Sequence, residues 1–288
     1  MSNFAVSQSA YGNEHRPLGD VFSLLTREYS KFLLYLHIIM ASLYLIPVNI
    51  SDAPLENVIP TGNHEVVRSI KHFIVENTRT ARRFLKRCDK SIDIDSLTFY
   101  ELNRHTDLAE VSTWLDPLRK GEDIGVMSEA GCPAVADPGA LPVEIAQREG
   151  FRVVPLVGPS SILMSLMASG FNGQGFAFNG YLPIDDKEKL RALCDLEAES
   201  QSKNRTEIFI ETPYRNNKMV AFLSENLRPD TLLCVACDIT DPEKESIVTL
   251  PASKWKNHRE NYDKRPAIFL IYRGNQTEQR KGGKRNVR

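Results

Sequence analysis

At 288 residues the chain is long enough for two domains of about 100 to 150 residues each. A hydrophobic content of 42% beside 25% charged residues supplies both cores and a solvated surface, which excludes a disordered or fibrous chain. Thirty-six basic residues against 37 acidic ones leave a net charge of −1, so no global attraction to nucleic acid or membrane follows, and any basic surface must be local.

Five cysteines (Cys88, Cys132, Cys194, Cys234, Cys237) are an odd number scattered through a chain that needs no staples, which points to a reducing, cytoplasmic setting. Cys234 and Cys237 have the spacing of a redox or zinc half-site. They lie, however, in a strand-like run where residues three apart face opposite ways, and no second pair completes a zinc site.

Residues 1–31 are polar and weakly patterned, whereas 32–48 are almost entirely apolar. That run contains His37, is at the lower limit for crossing a bilayer, and lacks a small-residue cleavage pattern. It reads as an N-terminal extension (1–39) followed by a first strand (40–48), with Met40 as the start of the domain proper. A turn-rich loop follows over 47–54. Asn63 then caps a helix carrying Val66, Val67 and Ile70 at helical spacing, and a short strand covers 73–76. The stretch 76–87 begins a basic helix on which Arg79, Arg82, Arg83 and Lys86 share a face, a solvated surface or a phosphate patch. A strand over 96–102, a helix over 108–118 and a strand over 123–128 come next.

After that strand the chain reads Ser128-Glu-Ala-Gly-Cys-Pro-Ala-Val-Ala-Asp-Pro-Gly139, small and turn-forming residues that leave backbone bare at a strand end, with Glu129 and Asp137 beside it. A helix from Pro138 to Arg148 and a strand over 152–157 complete five strands alternating with helices, which predicts a mostly parallel sheet. Gly158-Pro-Ser-Ser161 is a second Gly/Pro break, opening a helix over 162–168. The second half has more β character. Strands are expected over 176–183, 207–215, 231–239, 246–250 and 266–272, and helices over 187–199 and 217–227. The chain thus divides into an extension 1–39, an N-terminal α/β domain 40–156, a C-terminal α/β domain 157–274, and a basic tail 275–288 expected to be disordered and able to engage phosphates.

A Walker-type run and a Gly-x-Ser-x-Gly elbow are absent, and the six histidines form no ligand-spaced pair. The chemistry then rests on several backbone-rich strand ends at 47–52, 129–133, 158–161, 178–183 and 236–240. Corners of that kind suit a flat adenine and a ribose: main-chain groups read the purine edge, and a carboxylate accepts from a ribose hydroxyl. In open α/β sheets, ligands sit outside the carboxyl ends of the strands.

These corners, in this order, resemble the tetrapyrrole-methylase-like S-adenosylmethionine-dependent methyltransferases, and within them the 16S rRNA (cytidine-2′-O)-methyltransferase branch. The likeness covers residues 43–273. Leu43-Tyr-Leu-Ile-Pro-Val48 is similar to the family's opening strand, and Glu76-Asn-Thr-Arg79 to Glu-Asp-Thr-Arg. Ser128-Glu-Ala-Gly-Cys-Pro133 with Ala136-Asp-Pro-Gly139 is similar to Ser-Asp-Ala-Gly-Thr-Pro followed by Ser-Asp-Pro-Gly. Val157-Gly-Pro-Ser-Ser161, Phe178-Asn-Gly-Tyr-Leu-Pro183 and Glu211-Thr-Pro-Tyr-Arg215 resemble Pro-Gly-Pro-Ser-Ala, Phe-x-Gly-Phe-Leu-Pro and Glu-Ser-Pro-His-Arg.

The resemblance implies two α/β domains, the second with a mixed sheet, an S-adenosylmethionine cleft between them, and a homodimer. It carries cofactor contacts onto Pro47, Glu129, Gly131, Cys132, Pro133, Ser160, Ser161, Asn179, Gly180, Ala236 and Ala267. The chain departs from the family pattern at Asn77 and Glu129, each in place of Asp, and from the rRNA branch at two further places. Pro47-Val-Asn-Ile-Ser-Asp-Ala53 stands where that branch has Pro-x-Pro-Ile-Gly-Asn-Leu, and Cys237-Asp-Ile-Thr-Asp241 where it has Arg-Glu-Leu-Thr-Lys. Ribose methylation also needs a proton removed, a role expected of Asp137 or Asp238 as base or orienting group, with Arg79 and Arg215 on substrate phosphate. Three readings stay open: ribose 2′-O methylation of ribosomal RNA with the small ribosomal subunit as partner, methylation of a small molecule such as a tetrapyrrole, and a non-catalytic module that binds RNA or a partner.

Overall fold

The computed structural model describes residues 41–103 and 105–274. The expected extension, the start at Met40, most of the apolar run and the basic tail lie outside the described residues. Among the described residues, no helix is long and apolar enough to cross a membrane.

The first sheet contains β1 (Ser42–Leu45), β2 (His72–Val75), β3 (Thr98–Glu101), β4 (Ile124–Met127) and β5 (Arg152–Pro155), in the order β3-β2-β4-β1-β5. Every pairing is parallel, as the alternation of strands and helices predicts. β4 lies centrally and all four of its residues are buried, which is why it reads as an unbroken apolar run. Helix α1 (Thr61–Ser69) follows Pro60 rather than a cap at Asn63. Asn63 sits inside the first turn, where its Nδ2 donates to the Val157 carbonyl at 2.8 Å and ties the helix to the end of β5. Helix α2 (Thr78–Cys88) is capped by Asn77, whose Oδ1 accepts from the amides of Arg79 (2.9 Å) and Thr80 (3.2 Å).

The helix expected over 108–118 does not form. The segment makes turns, a 3-10 turn at Thr113–Leu115 and a single helical turn, α3 (Asp116–Arg119). Val111, Leu115 and Leu118 are fully buried at three- and four-residue steps, so the inward anchors carry the helical period without the helix. Local side-chain bonds compete with it: Asp107 Oδ1 accepts from the Ala109 amide at 3.0 Å, and Pro117 removes a donor.

Helix α4 (Ala140–Arg148) leads into β5, and α5 (Ser161–Ser169) follows it, capped by Ser160 and ended by Gly170 at φ 77°. The second sheet contains β6 (Phe176–Tyr181), β7 (Thr206–Ile210), β8 (Leu232–Cys237), β9 (Ser246–Pro251) and β10 (Ala267–Tyr272) in the order β6-β7-β10-β8-β9. Only β6 and β7 are parallel, so this sheet is mixed. Helices α6 (Asp186–Lys203), α7 (Asn216–Asn226) and the one-turn α8 (Ala252–Trp255) complete the elements. One face of the sheet packs Phe209, Leu223, Val235, Cys237 and Phe269, and the other packs Leu166 of α5 with Ile208, Cys234, Ala236 and Ile268. Cys234 and Cys237 therefore serve opposite faces of β8 as apolar filling, and both thiols are free.

One contact fixes the mouth of the first sheet. At Gly158, just beyond β5, an added Cβ would meet the Pro47 ring at 2.3 and 2.5 Å. Neither a proline ring nor the backbone carrying it can rotate aside. Gly158→Ala is expected to lower stability by about 1–3 kcal/mol, measured by urea unfolding; an unchanged midpoint would show that the two loops are not packed this tightly.

Candidate functional site

The site is built where β1, β4 and β5 end side by side. Beyond the sheet, the segments after β1 and β4 turn toward each other. The Val48 amide donates to the Gly131 carbonyl at 2.9 Å, and the Gly131 amide returns the bond at 3.2 Å. Gly131 holds φ 72°, a left-handed conformation disfavoured for residues with a Cβ. Next to it the Cys132 thiol lies 3.4 Å from the Pro159 carbonyl, and burial holds that thiol above its ordinary pKa, so it is neutral. Pro133 is buried, Ser160 Oγ caps α5 by accepting from the Leu163 amide at 3.4 Å, and Ser161 is the first residue of that helix. Pro47, Gly131, Cys132, Pro159 and Ser160 thus form one continuous wall.

The second sheet meets this wall through Ile50 and Ser51. Ile50 packs against the cluster containing Ala236 and Ile268, and its Cγ2 lies 3.3 Å from where a Cβ on Gly131 would be. Ser51 Oγ and Thr240 Oγ1 share a hydrogen bond of 2.9 Å. Of the residues expected on this side, Ala236 is fully buried in the middle of the sheet and Ala267 is 8% exposed. Asn179 Nδ2 donates to Glu207 Oε2 at 2.9 Å, and Gly180, at φ 64°, has open space where a Cβ would be. That glycine lies where the β6–β7 register shifts.

The two carboxylates expected to act on a proton are both engaged. Asp137 Oδ1 accepts from the amides of Ala134 (2.9 Å) and Gly139 (2.6 Å), bracing a loop in which Ala134 and Ala136 adopt φ of 66° and 62°. Among the described residues its Oδ2 is buried without a partner, and burial holds the group above the usual carboxylate range. Asp238 takes Arg265 Nε at 2.6 Å; Arg265 also donates to Glu260 (2.9 Å) and to the carbonyl of Lys244 (2.6 Å). Asp137 thus braces backbone and Asp238 is held in an ion pair. Arg215 is likewise committed, to Glu211 Oε1 at 2.6 Å and Thr212 Oγ1 at 3.1 Å, whereas Arg79 is exposed and makes no ion pair among the described residues.

Glu76, at the end of β2, holds a place that the sequence pattern alone does not assign to it. Its Oε2 accepts the Glu129 amide at 2.7 Å, so the end of β2 holds the start of the loop after β4. Burial raises its pKa, and the neighbouring charges of Asp137 and Glu129 add to the shift. The signal for it in the sequence is its position at a strand end in Glu76-Asn-Thr-Arg79. Glu129 itself is exposed and, among the described residues, its carboxylate accepts only a long contact from Thr80 Oγ1, at 3.4 Å. It lies between two cavities. One, of about 310 Å³, is lined by Asn49, Asp52, Thr80, Arg83 and Arg87 among others; the second, of about 890 Å³, by Glu76, Asn77, Glu101, Asn103 and His105. Among the described residues, no group of three His, Cys, Asp or Glu is gathered that could hold a metal ion.

No family model matches the chain. It is 28% identical over 235 residues to the ribosomal RNA small subunit methyltransferase I of Vibrio cholerae, covering 77% of this chain and 78% of that one. With the protein of the same name from Thermotoga maritima it shares 33% identity over 164 residues, 54% of this chain and 69% of the relative. The chain belongs to the ribosomal RNA small subunit methyltransferase I family. S-adenosylmethionine-dependent methyl transfer is accordingly its class of chemistry. Solved structures share the fold of this methyltransferase: diphthine synthase with a TM-score of 0.57 at 15% identity, covering 83% of this chain and 94% of that one, and cobalt precorrin-4 methyltransferase with 0.53 at 18%, covering 82% and 95%.

The raised pKa of Glu76 has a testable sign. Below the unfolded value of about 4.3 both states are protonated and the group contributes nothing. As pH rises the unfolded state ionises first, so Glu76 subtracts stability progressively until its own folded value is passed. Glu76→Gln removes that effect. The melting temperature of the variant relative to wild type is therefore expected to rise between pH 4 and pH 7, and a difference that stays constant over this range would contradict the assignment.

Proposed function

We propose that this methyltransferase transfers the methyl group of S-adenosylmethionine to a ribose 2′-hydroxyl of small-subunit ribosomal RNA. The observation that carries the reading is the wall joining Pro47, Gly131, Cys132 and Ser160 at the carboxyl edge of the parallel sheet, directly facing the second sheet through Ile50. The relatives named for small-subunit ribosomal RNA supply the substrate class.

The residues present fit the donor. Gly131 leaves a cradle that a Cβ would fill, against Ile50 and the Pro159 carbonyl. The neutral Cys132 thiol puts no charge there, and Glu76, Glu129 and Asp137 crowd negative charge nearby, so a cationic group is favoured. Pro47, Glu129, Gly131, Cys132, Pro133, Ser160 and Ser161 would hold the donor from one side, and Asn179, Gly180, Ala236 and Ala267 from the other. When bound, S-adenosylmethionine supplies a sulfonium methyl that an in-line oxygen can displace. The chain's own contribution is chiefly positioning, since holding reacting atoms about 3 Å apart accounts for much of such catalysis.

Of the carboxylates around the cleft, Glu129 faces open space on both sides, whereas Asp137 braces its loop and Asp238 is paired with Arg265. Glu129 therefore orients the ribose hydroxyl and accepts its proton, and Asp137 and Asp238 keep the loops in place. A homodimer remains part of this reading through the family resemblance.

Labelled donor incubated with small ribosomal subunits, naked ribosomal RNA and a tetrapyrrole panel tests the reading. Nuclease digestion of the labelled subunit is expected to yield a 2′-O-methylated nucleoside; label on a base atom, or only on a tetrapyrrole, would refute it. Glu129→Gln is expected to lower kcat by about 10²-fold, and a wild-type rate would remove Glu129 from the proton-accepting role.

A further inference from the structure

Helix α2 carries five basic side chains, of which Arg79, Arg82, Arg83 and Lys86 are expected from their spacing to share one face. The structure splits them. On the outer side Arg82 pairs with Asp95 at 2.8 Å and Lys86 Nζ donates to the Lys90 carbonyl at 3.0 Å. On the side toward the loop after β1, Arg83 and Arg87 line the cavity of about 310 Å³. Arg87 donates to the Ala53 carbonyl at 3.0 Å and so fastens that loop to the helix. Arg83 makes no ion pair among the described residues, although Asp52 and Glu129 line the same cavity. Arg79, one turn before Arg83, is also exposed and makes no ion pair among them.

A guanidinium left unpaired beside two carboxylates has an empty place for an anion, and its planar fork matches phosphate bidentately. The carboxylates limit what that anion is. Asp52 and Glu129 repel a densely charged group but accept hydrogen bonds from a hydroxyl attached to it. A ribose phosphate has both features, and the 2′-hydroxyl donor is what separates RNA from DNA at such a site. The cavity is also at the lower end of the volumes that hold small ligands, suited to one nucleotide rather than a duplex. Glu129 joins this cavity to the wall described above.

We propose that the cavity between α2 and the loop after β1 is a ribose-phosphate site for single-stranded RNA, with Arg83 on the phosphate, Asp52 and Glu129 on the ribose hydroxyl, and Arg79 continuing the backbone track. The proposal rests on the RNA-methylation reading and gives that reading a binding register.

The test compares two double variants of one helix that remove the same charge. Arg79→Ala/Arg83→Ala and Arg82→Ala/Lys86→Ala are titrated with an unstructured oligoribonucleotide, and with the DNA of the same sequence, at several salt concentrations. Donor binding by calorimetry and melting temperature confirm that each variant is folded. The first double is expected to weaken RNA binding at least tenfold and to reduce the slope of log K against log salt by about 1.4, since each phosphate neutralised on a single strand accounts for about 0.7. The second is expected to stay within about twofold, and Arg83→Lys, which keeps charge but removes the fork, to fall between. Wild type is expected to prefer RNA to DNA. Equal weakening in both doubles, or none in the first, overturns the site while leaving RNA methylation standing. Failure of wild type to bind or methylate RNA overturns both.

Discussion

Two hydrogen bonds between Val48 and Gly131 are the constraint on which the site depends. β1 and β4 run parallel, yet their continuations pair antiparallel, so the chain after β4 has to reverse within a few residues. Gly131 makes that possible for two separate reasons. Its left-handed φ costs a residue with a Cβ roughly 1–2 kcal/mol, and the Cβ would also press on Ile50 and the Pro159 carbonyl. With that bridge in place, Pro47 meets Gly158, Cys132 reaches Pro159, and Ile50 is presented to the second sheet.

Charge is distributed around the bridge according to what each group must do. Carboxylates that shape backbone are consumed by it: Asp137 by two amides, Glu76 by the Glu129 amide, Asp238 by Arg265. The last belongs to a longer network, in which Tyr262 donates to Glu260 and Arg265 spans Glu260 and Asp238. Beneath it burial pushes the Cys237 thiol up to about 12, so that position adds no charge. Such a network fixes the end of β8 in space. Among the described residues Glu129, Arg79 and Arg83 are left without an ion pair, and they stand on the rim of the first sheet rather than the second.

The sheets were largely legible because buried strands announce themselves. β4 and β8 are continuous apolar runs, and the two cysteines three apart on β8 face opposite cores as strand geometry requires. The segment at 108–118 was not legible, because Val111, Leu115 and Leu118 repeat with a helical period while Pro117 and the Asp107 turn forbid the hydrogen bonds. In the site, composition located the corners but not the partners. Nothing in the spacing of Arg79, Arg82, Arg83 and Lys86 says that Asp95 and the Lys90 carbonyl, both beyond the helix, occupy one side and leave the other empty. The partners of Asp137 and Asp238 were hidden for the same reason: a carboxylate beside a strand end is equally suited to chemistry and to bracing a loop, and the sequence does not place its neighbours.

One departure from the rRNA-branch pattern, Ser51, makes a contact with the segment that carries another. Ser51 occupies the position of that pattern's glycine, and its hydroxyl is 2.9 Å from that of Thr240, the threonine the pattern shares, in the segment that lacks the pattern's arginine and lysine. A glycine at 51 has no side chain to make this bond. The change at 51 therefore adds an interaction, in which a hydroxyl pair joins the loop after β1 to the corner after β8. The absence of positive charge at 237 and 241 also leaves that corner with Asp238 and Asp241, the first neutralised by Arg265 and the second by Lys244 at 3.5 Å. A phosphate backbone meets no unpaired cation at these two positions. If the chain acts on RNA, attraction has to come from the opposite rim, where Arg79 and Arg83 are left without ion pairs among the described residues. Cations without ion pairs among the described residues thus stand on the rim of the first sheet and not at this corner.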